Sequence, residues 1–128
     1  MAFPGEVNID YYKGDTYEFN IYPKLSNGTA MDLTDYSVKF TIAEVRGSST
    51  NFKECYASIP QASGQDYPNY IKCAIRPEDG NQQTGWSGLT AGTTYYYDVE
   101  IKKTALPYNY VYTLLTGTVS ITEQVTLS

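Results

Sequence analysis

The chain has no histidine, one tryptophan and two cysteines in 128 residues. Lacking histidine, it has neither the commonest metal ligand nor the usual general base near neutral pH. Two cysteines, Cys55 and Cys73, are too few for a disulfide framework or a four-thiolate zinc site. No run of 18 apolar residues occurs, so no membrane-spanning helix is expected. Nine Lys and Arg stand against fourteen Asp and Glu, for a formal charge of -5. Lys102-Lys103 is the only adjacent basic pair, which leaves no patch to neutralise phosphates, and nucleic acid is not an expected partner. Met1-Ala2-Phe3-Pro4-Gly5-Glu6 lacks a basic stretch followed by an apolar core. It does not read as a secretory signal, and the expected site of synthesis and assembly is a cytoplasm. Nucleophile elbow, phosphate loop and zinc motif are all missing, so no catalytic residue, metal or cofactor is expected and the chain reads as a non-enzyme.

Tyrosine is plentiful, with 14 copies, and like Thr and Val it favours pleated, half-wet surfaces. The most informative stretch runs from Gly88 to Ile101. Two glycines lead into an alternating run in which Tyr95, Tyr97, Val99 and Ile101 share one face and Tyr96, Asp98 and Glu100 the other. That period of two predicts a half-buried strand. Leu89-x-x-Gly92-x-x-Tyr95 has the spacing of a tyrosine corner, in which the hydroxyl bonds back to the preceding loop. A strand that merely begins with Tyr fits the same spacing.

Other strands follow from the same rule. Glu6 to Tyr11 predicts a short first strand with Val7 and Ile9 facing one way. Thr16 to Tyr22 alternates Tyr17, Phe19 and Ile21 against Glu18 and Asn20, and Pro23 ends its ladder. Ser37 to Val45 points Val38, Phe40 and Ile42 inward, with Leu33 plugging the end before it. Phe52 to Ile59 and Tyr70 to Ile75 form two more strands, expected to pair across Gly64 with Ala57 opposite Ile71 and Cys55 opposite Cys73. The last strand, Tyr110 to Ile121, places Val111, Leu115, Val119 and Ile121 on one face, with Gly117 at a bulge or bend. No segment has a period of 3.6. The expectation is all-β: one domain over residues 1–128, an immunoglobulin-like sandwich of about seven antiparallel strands with little or no helix, preceded by an arm at residues 1–5. A jelly roll or small barrel has a similar strand count.

The cysteine pair has two readings, a disulfide closed in an oxidising setting or two small buried thiols; a reducing cytoplasm favours the thiols. Asp32 with Asp35, and Glu78 with Asp79, lack the oxygen density calcium requires and suit turn roles. The aromatics are the candidate contact residues. Tyr11 or Tyr12, Tyr96, Tyr110 and Tyr112 are expected on solvent faces, Trp86 and Tyr108 on loops, and Phe3-Pro4 on a rigid apolar arm. Tyr and Trp are enriched where proteins meet proteins, and their rings also stack on sugars. The expected protein-binding set is therefore Phe3, Pro4, Tyr11, Tyr12, Trp86, Tyr96, Tyr108 and Tyr110. The expected structural set is Leu89, Gly92, Tyr95, Cys55 and Cys73.

Three segments carry a resemblance: Tyr12-Lys13-Gly14-Asp15-Thr16-Tyr17-Glu18-Phe19, Met31-Asp32-Leu33-Thr34-Asp35-Tyr36 running into Ser37 to Ile42, and Ala91-Gly92-Thr93-Thr94-Tyr95 running to Ile101. With the middle Cys73-Ala74-Ile75 strand, this pattern resembles small immunoglobulin-like domains in virion proteins of tailed bacteriophages. It is similar to the N-terminal domain of upper-baseplate proteins and to stand-alone structural proteins of phage particles. The motifs mark strands and turns, not a reactive site. The expectation is of a stand-alone domain, whereas a baseplate protein of that type continues into a segment carrying receptor-binding parts. The resemblance implies a capsid decoration or cement protein on the outside of the head. Its expected partners are the major capsid protein or other virion proteins, with a homo-oligomer compatible. The alternatives are a tail or baseplate adaptor, and a carbohydrate- or host-surface-binding module.

Overall fold

Alternation along Thr94–Lys103 buries Tyr95, Tyr97, Val99 and Ile101 and turns Tyr96 and Asp98 outward, because successive side chains of a strand leave opposite faces. The computed structural model describes residues 5–47, 52–61, 63–64, 66–80, 88–104 and 109–123. In chain order the strands are β1 (Gly5–Glu6), β2 (Ile9–Tyr12), β3 (Tyr17–Ile21), β4 (Ser37–Ala43), β5 (Phe52–Ser58), β6 (Ile71–Ile75), β7 (Thr94–Lys103) and β8 (Tyr110–Thr122). Among the described residues the only helical piece is a 3-10 turn at Pro77–Gly80, where Pro opens a tight turn. The chain is all-β, and the strand limits lie close to those the alternation predicts.

The strands make one continuous curled sheet in the order β1-β8-β7-β4-β5-β6-β3, with β2 also on β8. β5 is the point of curl. Its first half, Phe52 to Cys55, pairs with Ala43 to Phe40 of β4, and its second half, Tyr56 to Ser58, pairs with Ala74 to Lys72 of β6. One strand thus serves both limbs, and the limbs fold over a shared core. Phe19 of β3 meets Phe40 of β4 edge-on with centroids 5.4 Å apart, and Phe40 meets Tyr97 of β7 at 5.8 Å. Phe40, fully buried, contributes about 1.5–3 kcal/mol of transfer free energy, and the half-buried Phe19 and buried Tyr97 pack against it from the two limbs. Among the described residues the β3 edge and the β1/β2 edge do not pair, leaving a half-barrel open along one side.

Four expectations are corrected. First, the N-terminal strand runs parallel to β8, not antiparallel, with Gly5 opposite Leu115 and Ile9 opposite Val119. It also breaks at Val7-Asn8. There the Val7 carbonyl turns to accept the Tyr97 hydroxyl at 2.6 Å, and Asn8 Oδ1 takes the place of backbone by accepting from Thr118 N at 3.3 Å. The kink leaves Val7 exposed while Ile9 is buried, so the two do not share a face. Second, the bulge in β8 is at Leu114: Val99 faces Leu115 but Glu100 faces Thr113. The extra residue inverts the alternation, burying Leu114 and exposing Val111. Third, Gly117 serves a close approach instead, since a Cβ there would overlap the Val7 carbonyl oxygen. Fourth, the β5–β6 register is two residues away from the expected one. Ala57 faces Cys73, and Cys55 faces Phe40 on the other neighbour.

Candidate binding surface

The outward row of β7 is Tyr96, Asp98 and Glu100. The ladder with β4 sets Ala43 opposite Tyr96, Thr41 opposite Asp98 and Lys39 opposite Glu100. On the other side, β8 sets Thr118 opposite Tyr96 and Thr116 opposite Asp98. Arg46 leaves the chain just past β4 and reaches back over this face. Its guanidinium carbon lies 4.8 Å from the Tyr96 ring centroid, and Nη1 donates to Thr116 Oγ1 at 3.0 Å. Thr116 Oγ1 in turn donates to the Tyr97 carbonyl at 3.3 Å. One long cation is thereby held across three strands. A shallow cavity of about 190 Å³ lies beneath it, lined by Lys39, Thr41, Arg46, Tyr96, Asp98 and Glu100.

The charges on this face are mixed. Lys39 stands 3.7 Å from Glu54 in an exposed pair that contributes little to stability. The Asp98 carboxyl is raised above the usual range, first by partial desolvation and then by the charge of Glu100, while Arg46 pulls the other way. Asp98 remains solvent-exposed, so screening keeps the energetic effect small. Cation–π stacking at such an exposed site is worth about 0.5–1 kcal/mol. The stack and the Thr116 bond also bias Arg46 toward one orientation before any partner arrives, which lowers the entropy lost on contact. Arg and Tyr are also the side chains that most often dominate binding energy. Among the described residues no group of three or more Cys, Asp or Glu could hold a metal ion.

Of the expected contact residues that the structure describes, Tyr96 belongs to this cluster through its contact with Arg46. Tyr12 is exposed at the end of β2. Tyr11 is buried; the parallel pairing with Ile121 turns it inward, and its hydroxyl donates to the Asp15 carbonyl at 2.7 Å. Tyr110 is half-buried opposite Lys103, and Tyr112 packs against the core as the bulge dictates. Phe3, Pro4, Trp86 and Tyr108 lie outside the described residues. Arg46 is missing from the expected set. Its loop gives no sign of a reach that depends on β7 and β8 lying beside β4.

The structural set sits on the frame. Tyr95 closes a tyrosine corner: its hydroxyl accepts from Thr90 N at 2.9 Å and donates to the Gly88 carbonyl at 3.1 Å. Leu89 is buried beside it, and Gly92 takes a φ of 82°, a left-handed conformation suited to glycine. Gly92 N donates to Ile121 O at 2.8 Å, tying the corner to β8. Cys55 and Cys73 are buried and not joined in a disulfide, and burial pushes Cys73 up to about 12. Asp32 is a turn residue whose Oδ1 accepts from Thr34 Oγ1 and Thr34 N, at 2.6 and 2.9 Å, which lowers its pKa. No protein-family model, no curated protein and no solved structure matches the chain.

Proposed function

We propose that the chain is a non-enzymatic structural protein of a tailed-phage virion, a decoration protein bound to the outside of the head. Its partner is the major capsid protein or a neighbouring virion protein. In this reading the curled sheet is an immunoglobulin-like sandwich, with β1, β2, β8, β7 and β4 in one layer, β3 and β6 in the other, and β5 shared. The Phe19–Phe40 contact between limbs and the tyrosine corner at Tyr95 support that architecture.

The observation that carries the functional reading is the Arg46–Tyr96 pair, stacked on the outer face of the sheet beside a shallow cavity. Such a surface suits contact with another protein, and its mixed charges suit a partner with complementary polar groups. A capsid lattice repeats the same site many times. A linked or multimeric binder on such a lattice converts modest single-site affinity into lasting attachment.

Fractionation of purified particles tests this. The chain is expected in the head fraction, released from the outside without loss of DNA packaging. Recovery with tails alone replaces the decoration reading with the adaptor reading, and recovery in neither fraction rejects a virion role.

A further inference from the structure

β3 is the terminal strand of the sheet on the limb opposite Tyr96. One of its edges pairs with β6, and no strand among the described residues pairs with the other. Open edges are normally blunted by shortness, charged side chains, a proline or a bulge. Tyr17–Ile21 has no proline or bulge, Pro23 comes only after the strand has ended, and its one charge, Glu18, is paired within the sheet to Lys72 of β6 at 3.8 Å. Tyr17, Phe19 and Ile21 point inward and are only half-buried, while Glu18 and Asn20 point outward and are exposed. Beside the edge lies a cavity of about 350 Å³ whose mainly apolar lining includes Val7, Ile9, Phe19, Ile21 and Leu115, together with Asn20. An unpaired backbone and an unfilled apolar rim thus coincide.

We propose that a second copy of this chain pairs antiparallel along the open edge of β3, with the two-fold axis at Phe19. A two-fold contact must be self-complementary, and the sequence of β3 satisfies that in one register. Centred on Phe19, all five residues overlap: Tyr17 meets the copy's Ile21, Phe19 meets its counterpart, and Glu18 meets Asn20 twice. The outward row then sets each carboxylate against a neutral amide that donates to it. Centring on Glu18 would set two carboxylates against each other, which is unfavourable. Centring on Asn20 would run Tyr17 against Pro23, which has no N–H to give. In the favoured register the copy's Tyr17, Phe19 and Ile21 lie on the inward side and cover the rim of the cavity. The contact is small, so the dimer is reversible and concentration-dependent. This inference does not depend on a virion role.

Sedimentation equilibrium over a wide concentration series, on the full chain, is the test. The wild type is expected to show a monomer–dimer equilibrium. Asn20→Glu sets the new carboxylate directly opposite Lys72, which already pairs with Glu18 at 3.8 Å in an exposed contact, so Lys72 offsets the added charge within its own sheet and the monomer keeps its melting temperature. Across the two-fold axis the same carboxylate faces Glu18 twice, and the dimer is expected to weaken about tenfold or more. Adding Glu18→Lys to that variant replaces both repulsions by attractions and is expected to restore dimerisation. A wild type that stays monomeric at every concentration overturns the proposal. So does a dimer whose constant is unchanged by Asn20→Glu, because the contact would then lie elsewhere.

Discussion

Tyr11, Tyr95 and Tyr97 are buried, and each hydroxyl holds a backbone carbonyl: Asp15, Gly88 and Val7 respectively. A buried Tyr combines a large apolar ring with one polar group that must find a partner, and here the partners are turns and a strand break. Tyr95→Phe removes both corner bonds and leaves Thr90 N and Gly88 O without them. The expected loss is about 1–3 kcal/mol, read from the urea midpoint, whereas Tyr96→Phe on the outer face is expected to stay within about 0.5 kcal/mol. Equal losses in the two variants would contradict the corner's role. The Tyr95 bond was legible in the sequence because its partners lie in the seven residues before it. The Tyr97 bond was not, since Val7 is 90 positions away and only the sheet order brings it near.

At the scale of elements, the period-two pattern located the strands, and their mutual arrangement was less legible. Leu114 and Leu115 are adjacent and both apolar, so alternation alone does not say which one faces inward, and the bulge decides it. The β5–β6 register was not legible either, because a shift of two residues keeps every side chain on the same face and alternation cannot distinguish it. Gly117 shows what a single position contributes to an element. Its missing Cβ lets the Val7 carbonyl approach β8, so Gly117→Ala forces β1 and β2 to shift. A loss of about 1–3 kcal/mol is expected, as for other overpacked sites. Hydrogen exchange should speed up at Val7 N, which donates to Thr116 O at 3.0 Å. Unchanged exchange there would mean that the approach does not hold the strand.

For the molecule as a whole, burial leaves a signature at high pH. Tyr97 and Cys73 are both raised to about 12, chiefly by desolvation, from 10.0 and 9.0 in the unfolded chain. Between those limits the folded state binds more protons than the unfolded one, so stability falls as pH rises. It is fully present below about pH 9 and is lost progressively toward pH 12, and a melting-temperature series should show this decline. Tyr97→Phe should flatten the part of it above pH 10. A flat profile in the wild type would contradict the burial of both groups.

The whole molecule is also where function is proposed: a rigid curled sheet that attaches through the face bearing Arg46 and Tyr96. The sequence placed Tyr96 on that face and was silent about Arg46. The most direct measurement is attachment of Arg46→Ala and Tyr96→Ala to purified phage heads lacking this chain, alongside their melting temperatures. The account predicts that each variant folds normally and binds at least about tenfold more weakly, the loss expected of a residue that dominates a contact. Undiminished binding by both variants would contradict it.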